Sequence, residues 1–384
     1  MHKKVEKLIR LSKKVIKHAS LENGAIVAAN TDKSYYSREA ANYRWVWPRD
    51  SAFICVAADI LKIPIQEPFF EWLDKRPQDF KKYKCLYANY ATNGRFGSMG
   101  NMFEADQMGA MLWAIYFHYK NNLKNALKFK NLIERLADGI CSNWGGRFFI
   151  PNTVDIWEEN KRRTSTRIEN NNTYTLAACA RGLLLAYEII PTQIWKETAL
   201  QMFSEIKEAY NERDKYFYRN HGKISDLNID ASLLGLVWPF EIYKADDEKI
   251  INTIKKIEEK IVINYGVHRF EYDYYDSEGS AQEGGGAWPL LNFWMSIYWS
   301  IKGDREKAEI YYNWVLDRID KFKNYLPEQI FPDFRTGVYP LVWSHAMFII
   351  ASEFLGYIKN SKVKISRFGT PLIIGAKCKK TFNN

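Results

Sequence analysis

The 384-residue chain lacks the cysteine spacings that mark disulfide frameworks and zinc sites. Its five cysteines are odd in number and scattered, and no two of them form a CxxC pair. A scattered, odd set argues against a framework of disulfide bonds, and a zinc site of the common kind needs ligands paired at close spacing. The sequence therefore predicts a reducing, cytoplasmic setting and no metal site.

Long apolar runs and phosphate-binding loops are missing as well. No window reaches the length of apolar sequence that spans a bilayer, and the N-terminal stretch MHKKVEKLIRLSKKVIKHAS has no uninterrupted apolar core of a secretory signal. The glycine run in EGGGAWP has neither the preceding strand nor the lysine of a phosphate-binding loop. We therefore expect no membrane span and no cofactor.

The charge of the chain is unbalanced, with a formal net charge of +10 at pH 7, which raises the question of a nucleic acid partner. Lysines are spread along nearly every predicted helix beside acidic residues, as in DDEKIINTIKKIEEK, instead of forming one basic stripe. This pattern is typical of a solvated surface, so nucleic acid is not expected as a partner. Flexible linkers and low-complexity runs are also missing, and we predict a single domain over residues 1–384.

Helical periodicity dominates what is present. Apolar residues recur at helical spacing from Val5 to Ile16, for example, and Asp50 and Asp304 are expected as N-caps of two later helices. The pattern predicts twelve helices, near residues 3–19, 50–63, 66–81, 104–122, 125–142, 173–190, 195–211, 231–238, 246–262, 287–301, 304–320 and 341–359. Successive pairs without a strict repeat favour an all-α fold, a closed (α/α)6 barrel of six inner and six outer helices, with a paired helical superhelix as the alternative.

Five of the loops collect aromatic, acidic and arginine residues, in a chain with 13 Trp and 24 Tyr. These loops are NYRWVWPRD, NWGGRFFIPNTVDIWEE, GVHRFEYDYYDSEGSAQEGGGAWP, LPEQIFPDFRTG and YPLVWSH. Indole faces flanked by charged hydrogen-bonding groups suit a ligand with apolar C–H faces and a rim of hydroxyl groups. Because sugars have this character, the loops predict a carbohydrate site.

Two of the loops carry candidate catalytic carboxyl groups. Hydrolysis of a glycosidic bond requires one protonated carboxyl group to assist the leaving oxygen and one ionised group to activate water or attack carbon. Glu158 and Glu159 follow Trp157 in DIWEE, where an aromatic wall and a neighbouring carboxylate both tend to raise a carboxyl pKa. Glu328 lies in the turn LPEQ. The residues alone do not decide between Glu158 and Glu159, and each motif is also compatible with a solvated loop.

Taken together and in order, the motifs YRWVWPRDSAF, DIWEE, RFEYDYYDSEGSAQEGGGAWPLLNFW and LPEQIFPDFRTGVYPLVWSHA resemble the glucoamylase family, glycoside hydrolase family fifteen. The segments DASLLGLVWPF and NGAIVAA extend the resemblance over essentially the whole chain. It implies an inverting, exo-acting enzyme that releases β-D-glucose from the non-reducing ends of α-1,4-glucans or malto-oligosaccharides, with the pocket at one end of the barrel. The alternatives are a glucodextranase-like or trehalase-like member of the family, or a catalytically idle glucan-binding regulatory barrel.

The resemblance also implies a role for each site residue. Glu158 matches the general acid and Glu328 the general base, while Arg49 and Asp50 of WPRD match residues that hold hydroxyl groups of the terminal sugar. The remaining matches are substrate-binding positions, namely Tyr43, Trp47, Trp157, Glu159, Arg269, Trp288 and Trp343.

An inverting reaction sets expectations for the two carboxyl groups. Those of Glu158 and Glu328 should face each other about 6.5–9.5 Å apart, because a water molecule must fit between the sugar and the base. We expect a raised pKa for Glu158, through burial against Trp157 and repulsion from Glu159, opposed by Lys161, Arg162 and Arg163 if their loop folds inward. Glu328 is expected to be ionised and nearer to solvent.

The chain also departs from the family pattern. Many bacterial and archaeal relatives carry an N-terminal β-sandwich domain, whereas we expect this chain to begin with the first barrel helix, as a monomer or homo-oligomer. The basic segment over residues 160–172 is longer than the usual family connection and is expected to shape the leaving-group side of the pocket. Linkage and chain-length preference are not fixed by the motifs.

Overall fold

Helices account for most of the regular structure in the computed structural model, which describes residues 2–75, 85–159, 167–223, 225–273, 285–335 and 337–358. The α-helices of these residues are α1 His2–Ala19, α2 Pro48–Leu61, α3 Gln66–Asp74, α4 Asp106–Tyr119, α5 Lys130–Ser142, α6 Thr173–Ile189, α7 Gln193–Glu208, α8 Glu248–Lys260, α9 Pro289–Lys302, α10 Arg305–Leu316 and α11 Val342–Phe354. Short 3₁₀ helices occupy Leu123–Phe129, Ala231–Leu236 and Ile319–Phe322. None of the described helices is both long and apolar enough to cross a membrane.

The helices fall into two classes according to how much of their surface is apolar. In α2, 13 of 14 residues are buried, and α4, α6, α9 and α11 are similarly apolar on all sides. In α1 only 6 of 18 residues are buried, along one stripe. Because a helix that is apolar all round must be enclosed, whereas one with a single apolar stripe covers a core from outside, the first class forms an inner layer and the second an outer layer.

The inner layer closes into a ring. In order, α2 packs on α4, α4 on α6, α6 on the 3₁₀ helix Ala231–Leu236, that helix on α9, α9 on α11, and α11 on α2 again. Each outer helix (α1, α3, α5, α7, α8 and α10) packs against an inner element. Six inner and six outer elements make the predicted (α/α)6 barrel, and the contact between α11 and α2 excludes an open superhelix.

Short backbone bridges tie together the loops that precede the inner helices. Ala28 receives a hydrogen bond from Val342 at the start of α11, and Ala287, just before α9, bridges Ile330. The strands of the described residues are equally short and form antiparallel pairs, namely β1 Asn170–Asn172 with β4 Asn220–Gly222, β2 Tyr210–Asn211 with β3 Tyr216–Phe217, and β5 Val262–Ile263 with β6 Gly266–Val267. These bridges gather the aromatic loops beside one another.

Two local expectations are corrected by the structure. The helix predicted near residues 231–238 is a short 3₁₀ helix that ends at Leu236. Asp230 is its N-cap and accepts a hydrogen bond from the Ser232 N–H. Asp304 does cap α10, but Asp50 does not cap α2, which begins two residues earlier at Pro48. Proline suits the first position of a helix because its missing N–H is not needed there, and Asp50 therefore lies in the first turn. The end of the helix predicted near residues 66–81 lies outside the described residues.

Candidate active site

One pocket brings together residues from all five aromatic loops. It is lined by Ala28, Tyr43, Trp47, Arg49, Asp50, Ile156, Trp157, Glu158, Arg269, Trp288, Glu328, Leu341 and Trp343. Ten of the eleven predicted site residues are in this lining, and the eleventh, Glu159, lies directly beside it. The convergence of the loops is therefore confirmed, although the middle of the third loop, residues 274–284, lies outside the described residues.

A tight turn separates the two acids of the doublet. The Asp155 carboxylate accepts hydrogen bonds from the backbone N–H groups of Trp157 and Glu159, at 3.1 and 3.0 Å, and the Asp155 carbonyl accepts one from Glu158 at 2.9 Å. Glu158 takes a left-handed backbone conformation, with φ of +61°. This conformation is unfavourable for a residue with a side chain and persists only where its surroundings hold it. The turn directs Glu158 into the pocket and leaves Glu159 facing Arg219, whose guanidinium lies 2.9 Å from Glu159 Oε2.

The surroundings of Glu158 favour its protonated form. Burial raises its pKa above the ordinary value, and the Asp50 carboxylate raises it further, while Arg49, the hydrogen bond from Trp47 Nε1 and Arg269 lower it. The predicted direction is confirmed, and burial is the main cause as expected. The repelling carboxylate is Asp50 instead of Glu159, however, because Glu159 faces away. Residues 161–163, which were expected to oppose the shift, lie outside the described residues.

Glu328 lies across the same pocket, on a loop fixed by α11. Its Oε1 accepts a hydrogen bond from the Tyr43 hydroxyl at 3.0 Å, and its backbone N–H donates to the Val338 carbonyl at 2.8 Å. The expectation that Glu328 lies nearer to solvent than Glu158 is wrong. Glu328 is only 6% exposed, whereas the side chain of Glu158 is 15% exposed, because Tyr43 and the loop cover Glu328.

The start of α2 places a buried arginine at the base of the pocket. Arg49 donates a hydrogen bond to Glu104 and lies 3.3 Å from Asp50, 3.7 Å from Glu158 and 3.9 Å from Asp106. Burial raises the pKa of Asp50 to about 6 and that of Asp106 to about 7, although Arg49 opposes both shifts. Glu104 and Asp106 were missed at the level of sequence, because FEADQ carries no tryptophan or arginine that marks it as part of a site.

Aromatic faces and a second arginine form the opposite wall. Arg269 makes two hydrogen bonds of 2.7 Å to Asp273, and its guanidinium lies over the rings of Trp288 and Trp157, 4.7 and 5.4 Å from their centres. The Trp157 indole N–H donates to Asp230, at 3.0 Å from Oδ2. These contacts fix the indole planes and the Arg269 guanidinium in one arrangement.

The carboxyl groups of the pocket are suited to acid–base chemistry. In the described part of the chain, no group of three or more His, Cys, Asp or Glu side chains is arranged to hold a metal ion. Two carboxyl groups reach one pocket from loops 170 residues apart in the sequence (328 − 158), flanked by two arginines and four indoles. Such an arrangement matches the requirements of glycosidic bond hydrolysis.

Comparison with known proteins agrees with this chemistry. The sequence model described as glycosyl hydrolases family 15 matches residues 73–323. The chain is 30% identical over 336 residues to an uncharacterised glycosyl hydrolase of Methanocaldococcus jannaschii, covering 80% of this chain and 50% of that protein. It is 25% identical over 274 residues to the isomaltose glucohydrolase of Kribbella flavida (67% and 65%), and 24% identical over 346 residues to Trehalase 2 of Sulfolobus acidocaldarius (81% and 56%). The chain thus spans about half to two thirds of the length of these relatives.

Solved structures show the same fold. A wild-type glycosidase superimposes with a TM-score of 0.76 at 23% identity, covering 93% of this chain and 98% of that one. A bacterial glucoamylase complexed with acarbose superimposes with a TM-score of 0.70 at 21% identity, covering 93% and 56%. At these identities the likeness concerns the fold alone.

Proposed function

The chain belongs to glycosyl hydrolase family 15, and from that membership and the geometry of its pocket we propose an inverting, exo-acting α-glucoside hydrolase. It releases β-D-glucose from the non-reducing ends of α-1,4-glucans or malto-oligosaccharides. The observation that carries the proposal is the single pocket in which Glu158 and Glu328 are brought together with two arginines and four indoles. We propose that residues 1–384 act as one catalytic domain.

In this mechanism each carboxyl group has one task. Glu158, whose pKa is raised by burial, gives its proton to the glycosidic oxygen as the bond from that oxygen to the anomeric carbon breaks. Glu328 takes a proton from a water molecule, whose oxygen attacks the anomeric carbon from the opposite face. The hydrogen bond from Tyr43 orients the Glu328 carboxylate for this task. The product therefore carries the anomeric configuration opposite to that of the substrate.

Recognition of the terminal sugar is assigned to the start of α2. The buried Asp50 Oδ1 atom lies 3.3 Å from Arg49 Nη2, and the two groups together offer a sugar hydroxyl group a charged acceptor and a charged donor. Arg49 lies beside it, with its guanidinium 5.3 Å from the centre of the Trp343 ring. A pocket closed by Asp50 and Arg49 suits the terminal sugar of a glucan. Trp47, Trp157 and Trp288 supply apolar faces for the ring of that sugar.

The names of the relatives favour a second candidate within the same class. One relative is an isomaltose glucohydrolase and another is a trehalase, so an α-1,6-linked glucoside or trehalose is the alternative substrate. An idle glucan-binding barrel is disfavoured, since it has no need of two carboxyl groups in one pocket.

The test is to incubate the purified chain with maltose, maltotriose, isomaltose, trehalose and soluble starch, and to follow the first product by proton NMR. We expect the glucose released first from the non-reducing end of maltotriose and starch to be in the β form before mutarotation. Maltose and isomaltose report turnover, but the glucose from their own reducing ends carries both anomers. Trehalose gives one α and one β glucose if one carbon is attacked with inversion, so its products are recognisable. An α-glucose first product from maltotriose contradicts the inverting mechanism. Binding without turnover of any substrate supports the idle barrel instead.

A further inference from the structure

Arg219 is the buried centre of a second cluster of carboxylates, next to the pocket and outside its lining. It follows β3, and its side chain is only 3% exposed. Its Nη2 atom lies 2.9 Å from Asp155 Oδ2 and 2.9 Å from Glu159 Oε2. Its Nε atom lies 3.1 Å from Asp230 Oδ2 and 3.8 Å from Asp226 Oδ2. One guanidinium therefore joins four acids from two separate segments, residues 155–159 and 226–230.

Two of these acids hold the backbone and the aromatic wall of the catalytic turn. The Asp155 carboxylate accepts hydrogen bonds from the N–H groups of Trp157 and Glu159, and these two bonds fix the left-handed conformation of Glu158. Asp230 accepts a hydrogen bond from the indole N–H of Trp157 and also caps the inner 3₁₀ helix Ala231–Leu236. The guanidinium thus joins the turn to the inner ring of the barrel.

We propose that Arg219 is a positioning residue for proton transfer by Glu158, acting through Asp155 and Asp230. The inference rests on the proposed function. Without the guanidinium, Asp155 is a buried carboxylate that has lost its cation among the described residues, and it takes up a proton or turns toward water. Either change weakens the hydrogen bonds to Asp155 that hold the unfavourable backbone conformation at Glu158. The Glu158 carboxyl group is then no longer held toward the pocket.

Burial and pKa values agree with this dependence. Burial raises the pKa of Asp155, and Arg219 is the largest influence that lowers it again. The ionised form of Asp155, which is the better acceptor of two N–H groups, thus depends on Arg219.

The chain offers a matched control for a role in stability alone. Arg181 on α6 is also buried and forms one close ion pair, at 2.6 Å, with Glu241, but it touches no residue of the turn over residues 155–159. Arg181→Ala should lower the melting temperature as Arg219→Ala does, yet leave turnover within about twofold of wild type, the range of a substitution away from the site.

The kinetic test compares Arg219→Ala and Arg219→Lys with this control, on the glucoside that the wild type cleaves fastest. We expect kcat to fall by about 100-fold in Arg219→Ala, the effect of a misplacement near 1 Å, with KM within about threefold. The basic limb of the kcat/KM profile should move to lower pH, because Glu158 loses part of the burial that raises its pKa. Guanidinium chloride should restore part of kcat in Arg219→Ala, and an equal concentration of sodium chloride should not.

Amide hydrogen exchange gives a readout that does not depend on activity. The amides of Trp157 and Glu159 should exchange faster in Arg219→Ala than in wild type, and at the wild-type rate in Arg181→Ala. If the wild type cleaves no glucoside, the proposed function fails while exchange still tests the positioning. Unchanged exchange, or kcat within about threefold of wild type, overturns the inference, as does a rise in KM alone. If Arg219→Ala does not fold, Arg219→Lys carries the same comparisons, because one ammonium group cannot bridge Asp155 and Asp230 together.

Discussion

At the scale of single residues, the site depends on one backbone angle. Glu158 and Glu159 are adjacent and chemically identical, and only the left-handed conformation at Glu158 gives them different surroundings. That conformation depends on Asp155 and, through it, on Arg219, which is 64 residues away in the sequence (219 − 155). Local sequence therefore predicts that an acid is present but not which of the two faces the pocket, and the choice came from resemblance to the family.

The first prediction concerns the three glutamates. Glu158→Gln and Glu328→Gln should each lower kcat by three or more orders of magnitude, because each removes a group that transfers a proton in the transition state. Glu159→Gln should lower kcat far less than either, because the Glu159 carboxylate faces Arg219 outside the pocket lining. The exposed Glu212→Gln, which lies in surface pairs with Lys215 and Lys249, is the control and should be unchanged.

The same prediction has a geometric part. A crystal structure should place the carboxyl groups of Glu158 and Glu328 about 6.5–9.5 Å apart. A separation above about 12 Å in a closed pocket, too wide for one water to bridge, contradicts the assignment. So does wild-type turnover in either Glu158→Gln or Glu328→Gln.

The second prediction links activity, stability and pH at Asp50. Its pKa of about 6 in the folded chain is above the ordinary value of 3.8, so the folded state binds the extra proton and stability falls as pH rises from about 4 to 6. Asp50→Asn should therefore raise the free energy of unfolding by up to about 3 kcal/mol above pH 6 and by little below pH 4. It should also lower kcat/KM by about two or more orders of magnitude, through loss of a charged contact with the sugar.

Denaturant unfolding at pH 4 and pH 7, with kinetics at pH 7, measures both effects. Asp304→Asn is the control, because asparagine caps a helix as well as aspartate does. An Asp50→Asn variant with wild-type kinetics on every active substrate places Asp50 outside the site.

At the scale of elements, the spacing of apolar residues predicted the presence of the helices well and the positions of their ends less well. The uninterrupted apolar run of α2 indicates an inner helix from sequence alone, and the single stripe of α1 indicates an outer one. The segment Ala231–Leu236 has the same apolar character but forms only a 3₁₀ helix. Its cap, Asp230, is held by Arg219 and the Trp157 indole, which are contacts that no local pattern contains.

The third prediction concerns the crossing of α4 and α6. A Cβ atom at Gly109 would lie 2.2 Å from the Ala178 carbonyl oxygen, so the two helices approach more closely than any larger residue allows. Gly109→Ala should lower the free energy of unfolding by about 1–3 kcal/mol or more, because the core cannot expand without strain. Gly337→Ala, where a Cβ meets no atom within 4 Å, is the control. Equal unfolding free energies for the two variants contradict the close crossing.

At the scale of the whole molecule, ring closure was predicted by counting paired helices, but its polar details were not. The first helix of the barrel contacts the last through a buried hydrogen bond of 2.8 Å between Ser12 Oγ and His345 Nδ1. The other ring nitrogen of His345 accepts a hydrogen bond from the Leu326 N–H, two residues before Glu328. Burial lowers the pKa of His345 to about 3, so it stays neutral and can accept that bond.

The fourth prediction tests this closure. Ser12→Ala should lower the free energy of unfolding by about 1–3 kcal/mol, because it leaves a buried imidazole nitrogen without its partner. Ser300→Ala, which removes only a bond to the Ser296 carbonyl one helical turn away, is the control and should change stability by about 0.5 kcal/mol or less. Thermal and denaturant unfolding measure both, and a Ser12→Ala variant as stable as the control contradicts the role of this contact.

The acids around Arg49 have a consequence for inhibitors and assay buffers. The chain as a whole carries a net charge of +10, yet its pocket gathers Asp50, Glu158 and Glu328, with Asp106 beneath, against two arginines, Arg49 and Arg269. A protonated amine at the position of the cleaved bond should therefore compete with substrate. Its inhibition constant should fall as pH rises past about 6 and 7, where Asp50 and Asp106 lose their protons. Basic sugar analogues are thus natural leads, and amine buffers such as Tris should be kept out of the reaction mixture.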